Sequence, residues 1–230
     1  MASIKDTSEE MRANTWFGSL PAAEQDALLS SSELITLQPG NYVFRQGDVP
    51  NGFYGVNQGR VKAFTVREDG KEAILAVLQA GNWFGQTSLF QRTPRMRDVA
   101  AIEETTIFVV KPPAFEELMK STGFVRAIAD LQSIHMNWLY RMVEDATLHS
   151  TRAKIARRLM FLAYGDVAMA PQMSQEISVS QDTLAMMLGI TRQTLGLELK
   201  AMAAKGAISL RYGRIEILSK EILQKFTEYL

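Results

Sequence analysis

The chain has 230 residues, 47% hydrophobic and 22% charged, with 25 Lys/Arg against 25 Asp/Glu; that is the make-up of one large or two ordinary globular domains. It contains no cysteine, which excludes a disulfide framework, a thiolate zinc site and a cysteine-ligated iron–sulfur cluster. No apolar run approaches the roughly 18 residues that cross a bilayer, and the charged start through Lys5, Asp6, Glu9, Glu10 and Arg12 lacks a signal-peptide core, so a cytoplasmic protein with no membrane partner is expected.

Residues 1–33 read as a helical segment broken around Gly18 to Pro21. From 34 to 121 the texture changes to short apolar runs: Leu34–Leu37, Tyr42–Phe44, Gly52–Val56, Val61–Val66, Ala73–Leu78, Asn82–Phe84, Val99–Ala101 and Thr105–Val110. Turns at Pro39-Gly40, Gln46-Gly47-Asp48, Gln58-Gly59, Asp69-Gly70 and Ala80-Gly81 separate them. Many short strands at this spacing predict a jelly roll. Pro112-Pro113 ends the region, and Ala114–Lys120 follows as a short helix.

Residues 122–149 hold a long helix, with no Gly or Pro from Phe124 to Leu148. Placing Ile128, His135, Met142 and His149 at one heptad position, with Leu131 or Gln132, Trp138 or Leu139, and Asp145 or Ala146 near the other, gives an apolar seam suited to a homodimer. His135 and His149 are the only histidines. With none in the roll there is no metal cluster to predict there, and haem is not expected. No nucleophile–base arrangement supports an enzyme.

Residues 150–230 carry 11 Lys/Arg against 7 Asp/Glu, and residues 1–149 carry 14 against 18. That asymmetry is expected if only the second part meets phosphate. After a helix over Ala153–Ala163, a loop from Gly165 to Gln175 and a short strand over Glu176–Val179, Ser180 caps a helix carrying Leu184 and Leu188. Gly189 ends it in the left-handed conformation, Ala185 allows a close crossing, and Thr191 caps a second helix with Leu195, Leu199 and Met202 inward. Arg192, Gln193, Gly196, Leu197 and Lys200 are left facing outward. Lys205-Gly206 closes that helix, and two strands, Ala207–Arg211 and Ile215–Leu218, form a hairpin tipped by Arg211 and Arg214 around Tyr212-Gly213. The pattern is a winged helix-turn-helix for double-stranded DNA, and the alternative on these residues alone is a helical hairpin with a solvated face.

Pro39-Gly-Asn-Tyr-Val-Phe-Arg-Gln-Gly-Asp48, Gly59-Arg-Val-Lys62, Gly81-Asn-Trp-Phe-Gly85 and Pro94-Arg95 resemble the signatures of the cyclic-nucleotide-binding fold. Followed by the long helix and the winged motif, they resemble the Crp/Fnr family of bacterial transcription regulators over roughly Leu34 to Leu218. The resemblance implies an α+β chain: an effector-binding β-roll (34–121), a dimerisation helix (122–149) and a DNA-binding winged domain (150–230). It also implies a homodimer on a palindromic operator, with RNA polymerase as a partner.

The family's phosphate cassette has a Gly-Glu pair opening a short helix and an Arg followed by Ser or Thr about ten residues on. It maps onto Gly85, Gln86, Thr87, Ser88, Arg95, Met96 and Arg97, with Leu139 and Tyr140 near the position that meets the purine. Gln86 stands in place of the carboxylate and Met96 in place of the hydroxyl, so cyclic AMP is not the expected effector. A small anion of another shape and a ligand-independent DNA binder both stay open. So does pairing of Arg95 and Arg97 with Asp98, Glu103 or Glu104, and so does a regulatory module acting through protein contacts. At the DNA, Arg192 suits a guanine edge, Gln193 an adenine and Leu197 a thymine methyl. Gly196 permits close approach, and Thr191, Thr194, Lys200, Arg211 and Arg214 are phosphate contacts.

Overall fold

The computed structural model describes residues 6–66, 72–164, 176–177, 179–211 and 213–227. The predicted Asp69-Gly70 turn, the Gly165–Gln175 loop and Tyr212 lie outside that set. The chain divides into two compact units, with the division between Ile134 and His135.

The first unit opens on three short helices, α1 (Glu9–Ala13), α2 (Thr15–Ser19) and α3 (Ala22–Ser30). Asn14 ends α1 and caps α2, its side chain accepting from the Trp16 and Phe17 amides, so the first break falls at Asn14. Gly18 lies inside α2, and a second break follows at Leu20-Pro21.

Eight strands follow: β1 (Ser32–Leu37), β2 (Tyr42–Phe44), β3 (Phe53–Gln58), β4 (Arg60–Val66), β5 (Glu72–Gln79), β6 (Trp83–Phe84), β7 (Asp98–Ala101) and β8 (Thr105–Val110). They form two four-stranded antiparallel sheets, ordered β1-β8-β3-β6 and β2-β7-β4-β5, the paired sheets of a jelly roll. The short helix α4 (Gln86–Gln91) interrupts the run between β6 and β7. After β8 the helix α5 spans Pro112–Leu118. The two prolines therefore start this helix rather than precede it, because the first helical positions need no amide hydrogen.

The core of this unit joins Met11, Trp16, Phe17, Leu28 and Leu29 to Phe53, Trp83, Phe108 and Phe115, and to Phe124, Ile128 and Leu131 of the long helix α6 (Thr122–Leu148). The Trp16 indole donates to the Ala127 carbonyl at 2.7 Å. Gly55 lets β3 lie against Trp83, since a Cβ there would stand 2.5–2.7 Å from three indole atoms. The N-terminal helices are thus part of the roll's own core.

Ile128 and Leu131 are taken up in that core, so neither is open to a second helix as the predicted seam requires, whereas Leu139 of that seam is exposed. Among the described residues, Met136, Leu139, Tyr140 and Val143 form an exposed apolar face on α6 in the second unit, at offsets of three, four and seven residues.

The second unit continues with α7 (Thr151–Tyr164), β9 (Glu176–Ile177), α8 (Gln181–Leu188), α9 (Arg192–Ala204), β10 (Ile208–Arg211), β11 (Arg214–Ile217) and α10 (Lys220–Lys225). Its sheet is three-stranded, ordered β10-β11-β9, so the short strand before α8 completes the hairpin as a third member. Asp145 on α6 accepts from Arg157 on α7 and lies 3.9 Å from the His149 imidazole.

Candidate nucleic-acid interface and sensor cassette

The two-helix motif is built by its caps. Ser180 accepts from the Thr183 amide at 3.0 Å, and Gly189 takes φ +63° to end α8, a conformation that costs glycine little. Thr191 accepts from the Thr194 amide at 3.1 Å, and the two hydroxyls lie 2.9 Å apart. Both threonines are therefore engaged in the cap as well as exposed.

Leu195, Leu199 and Met202 are fully buried, as are Leu184 and Ala185 of α8. Met187, which the pattern did not single out, is buried, whereas Leu188 is only half-buried. That packing turns Arg192, Gln193, Leu197 and Lys200 to solvent with Gly196 half-exposed. A Cβ at Gly196 would meet nothing within 4 Å, so no packing inside the chain explains a glycine in mid-helix. At the wing, Arg211 and Arg214 sit directly opposite each other across β10 and β11. Arg192 lies 3.3 Å from Asp182, Arg211 lies 3.1 Å from Glu216, and Arg214 is bonded to Glu176. These three carboxylates escaped the sequence reading because their partners are set by the fold.

In the roll, Gly85 takes φ +94° at the start of α4 and Arg92 takes φ +53° at its end. Arg95 is 2% exposed. Its two terminal nitrogens donate to the carbonyls of Gly85 and Gly52, each at 2.6 Å, and the group lies over the Phe44 and Tyr54 rings at 4.2 and 5.5 Å. Burial draws its pKa below the usual guanidinium value, and burial likewise raises the Tyr54 phenol.

The predicted acidic partners of Arg95 and Arg97 are engaged elsewhere. Glu103 pairs with Arg60 at 2.8 Å, Glu104 accepts from Gln38 at 3.2 Å, and Asp98 accepts from the Gln46 amide at 3.0 Å. Backbone carbonyls, which the sequence does not advertise, hold Arg95 instead.

Gln86 is buried and its amide donates to Gln132 of α6 at 2.9 Å. Ser88 is buried, while Thr87, Met96 and Arg97 are exposed. Leu139 and Tyr140 lie on the exposed apolar face of α6 in the second unit. The cassette implied by the resemblance sets a carboxylate on the ribose and a guanidinium and hydroxyl on the phosphate, where ionised partners make the strong hydrogen bonds. Here those positions hold a buried amide bonded to α6, a guanidinium committed to two carbonyls, and a methionine 61% exposed. The residues do not fit that ligand.

The Cyclic nucleotide-binding domain model matches residues 34–122, and the Crp-like helix-turn-helix domain model matches residues 153–226. The chain belongs to the Crp/Fnr family of transcription regulators. One relative, the Cyclic AMP receptor protein of Thermus thermophilus, is 25% identical over 94% of this chain and 97% of its own length. The anaerobic regulatory protein of Bacillus subtilis is 23% identical over 86% of this chain and 85% of its own. The structure of FixK2 from Bradyrhizobium japonicum shares the fold with a TM-score of 0.77, at 15% identity over 86% of this chain and 98% of that one. As a Crp/Fnr member the protein is a DNA-binding transcription regulator with an attached sensor domain.

Proposed function

We propose that the protein acts as a homodimer on a palindromic operator, reading bases with α9 and gripping phosphates with the wing. One observation carries this reading: Leu195, Leu199 and Met202 anchor α9 inward, so Arg192, Gln193, Gly196, Leu197 and Lys200 form its free face. Arg192 gives two parallel N–H donors to a guanine, Gln193 addresses an adenine and Leu197 a thymine methyl. Thr191, Thr194, Lys200, Arg211 and Arg214 position the domain on phosphates without reading sequence.

The exposed Met136, Leu139, Tyr140 and Val143 of α6 supply the twofold contact, since an apolar stripe at this spacing is covered by a second helix. Leu139 and Tyr140 then serve the dimer rather than an effector. Arg95, Gln86 and Gly85 serve the roll's own structure, with Ser88 buried beside them. A small anionic effector would meet Thr87, Met96 and Arg97, the exposed members of the cassette. The protein works by binding rather than catalysis, in the cytoplasm, with RNA polymerase as the machinery it influences.

The test is selection of bound duplexes from a random pool by the full-length protein. The expected product is an inverted repeat with half-site centres about 34 Å apart. Enrichment of a single half-site, or of no sequence, would overturn the proposal.

A further inference from the structure

Each of the three arginines on the DNA face is paired with a carboxylate of its own domain. Arg192 has Asp182 of α8 at 3.3 Å, Arg211 has Glu216 of β11 at 3.1 Å, and Arg214 has Glu176 of β9. Stability does not account for this arrangement. The arginine side chains are 61–70% exposed and their partners 33–59% exposed, and ion pairs this open contribute little to folding. Their cost on a phosphate-binding face is direct, because three carboxylates repel any duplex that approaches. We propose that Asp182 is a specificity-determining residue that screens the reading arginine, suppressing sequence-independent binding more than operator binding, while Glu176 and Glu216, whose arginines meet phosphate on any sequence, lower affinity for every duplex. This rests on the reading of α9 and the wing given above.

The asymmetry follows from donor geometry. A guanidinium has five N–H donors, so Arg192 can give two to a guanine edge and keep another on Asp182, whose charge stays compensated in the operator complex. On random duplex a guanine meets the fork only by chance of register. Otherwise Arg192 turns to a phosphate and leaves Asp182 uncompensated beside the backbone. The Arg192–Asp182 pair thus acts as a repulsive element against the wrong partner, and all three pairs lower the number of cations free to release counterions on arbitrary DNA.

The experiment compares wild type with the variant Asp182→Asn, Glu176→Gln, Glu216→Gln. Fluorescence anisotropy is read on a random-sequence duplex and on the selected operator, across a salt series. The expected result is a gain of about tenfold for random duplex at ~0.1 M salt. Its log K against log salt slope should steepen, and the operator gain should be clearly smaller, so the specificity ratio falls. The single variant Asp182→Asn, at an exposed helix position, should show part of the same change if the triple variant folds poorly. Random-duplex affinity within twofold of wild type, or equal gains on both duplexes, would overturn the proposal. Arg192→Ala in the same assay separates the two claims. If it keeps full operator preference, the reading face itself is wrong; if it loses preference while the carboxylate variants change nothing, only the screen fails.

Discussion

Arg95 offers the sharpest test of how the roll is held together. Replacing it with alanine removes two charge-assisted hydrogen bonds, both 2.6 Å, and strands the carbonyls of Gly85 and Gly52. Each buried carbonyl left without a donor costs about 1–3 kcal/mol, and loss of the guanidinium over Phe44 and Tyr54 adds about 1 kcal/mol. Against this stands relief from burying a cation that Asp48 offsets only through space, a burden of a few kcal/mol. The net loss is about 2–4 kcal/mol. Lysine should not rescue it, because one ammonium cannot span two carbonyls as a planar fork does. Urea unfolding followed by fluorescence of Trp16 and Trp83, in a Trp138→Phe background, reads the first unit directly. A change below about 0.5 kcal/mol, or a gain in stability, would refute the structural role and mark Arg95 as a group held ready for a ligand.

Three further outcomes are expected. Gly196→Ala should raise stability by about 0.5–1 kcal/mol, because the site has open space and alanine favours helix. The same change should weaken operator binding in a gel-shift titration, and unchanged binding would reject close approach of α9 to the groove. Leu139→Glu with Val143→Glu should leave a monomer in sedimentation and reduce operator affinity at least a hundredfold. A persistent dimer would move the interface off this face of α6. Burial pushes the His135 pKa down to about 4, from an ordinary 6.5. Its contribution is fully present above pH 6.5, where the ring is neutral folded or unfolded, and it is lost between pH 6.5 and 4 as the unfolded chain takes the proton first. Relative to His135→Asn, wild type should lose about 1–3 kcal/mol across that window, the half-buried ring keeping some contact with water. Parallel pH profiles for the two proteins would contradict it.

The architecture was legible where local chemistry decides it. Gly-bearing turns at regular spacing announced the roll, and Ser180, Gly189 and Thr191 announced α8 and α9 because caps and left-handed glycines act within a few residues. The α9 face was readable for the same reason, as Leu195, Leu199 and Met202 set a 3.6-residue period. The long helix was visible but its free side was not. Ile128 and Leu131 look like a seam until the roll's core claims them, and periodicity cannot tell an internal partner from an external one. Partner choice was the other blind spot. Arg95 reaches Gly52, 43 positions away, and Arg214 reaches Glu176 across 38. Backbone carbonyls and cross-strand carboxylates leave no pattern in sequence until the strands are in register.

On the proposed function, the guanidinium of Arg192 reads a base pair in each half of a symmetric operator. Measuring wild type and Arg192→Ala against the selected operator and against operators changed at each position decides it. The expected loss is about 1–3 kcal/mol, with discrimination abolished at one symmetric pair of positions and kept elsewhere. Undiminished affinity with the full sequence preference intact would contradict it.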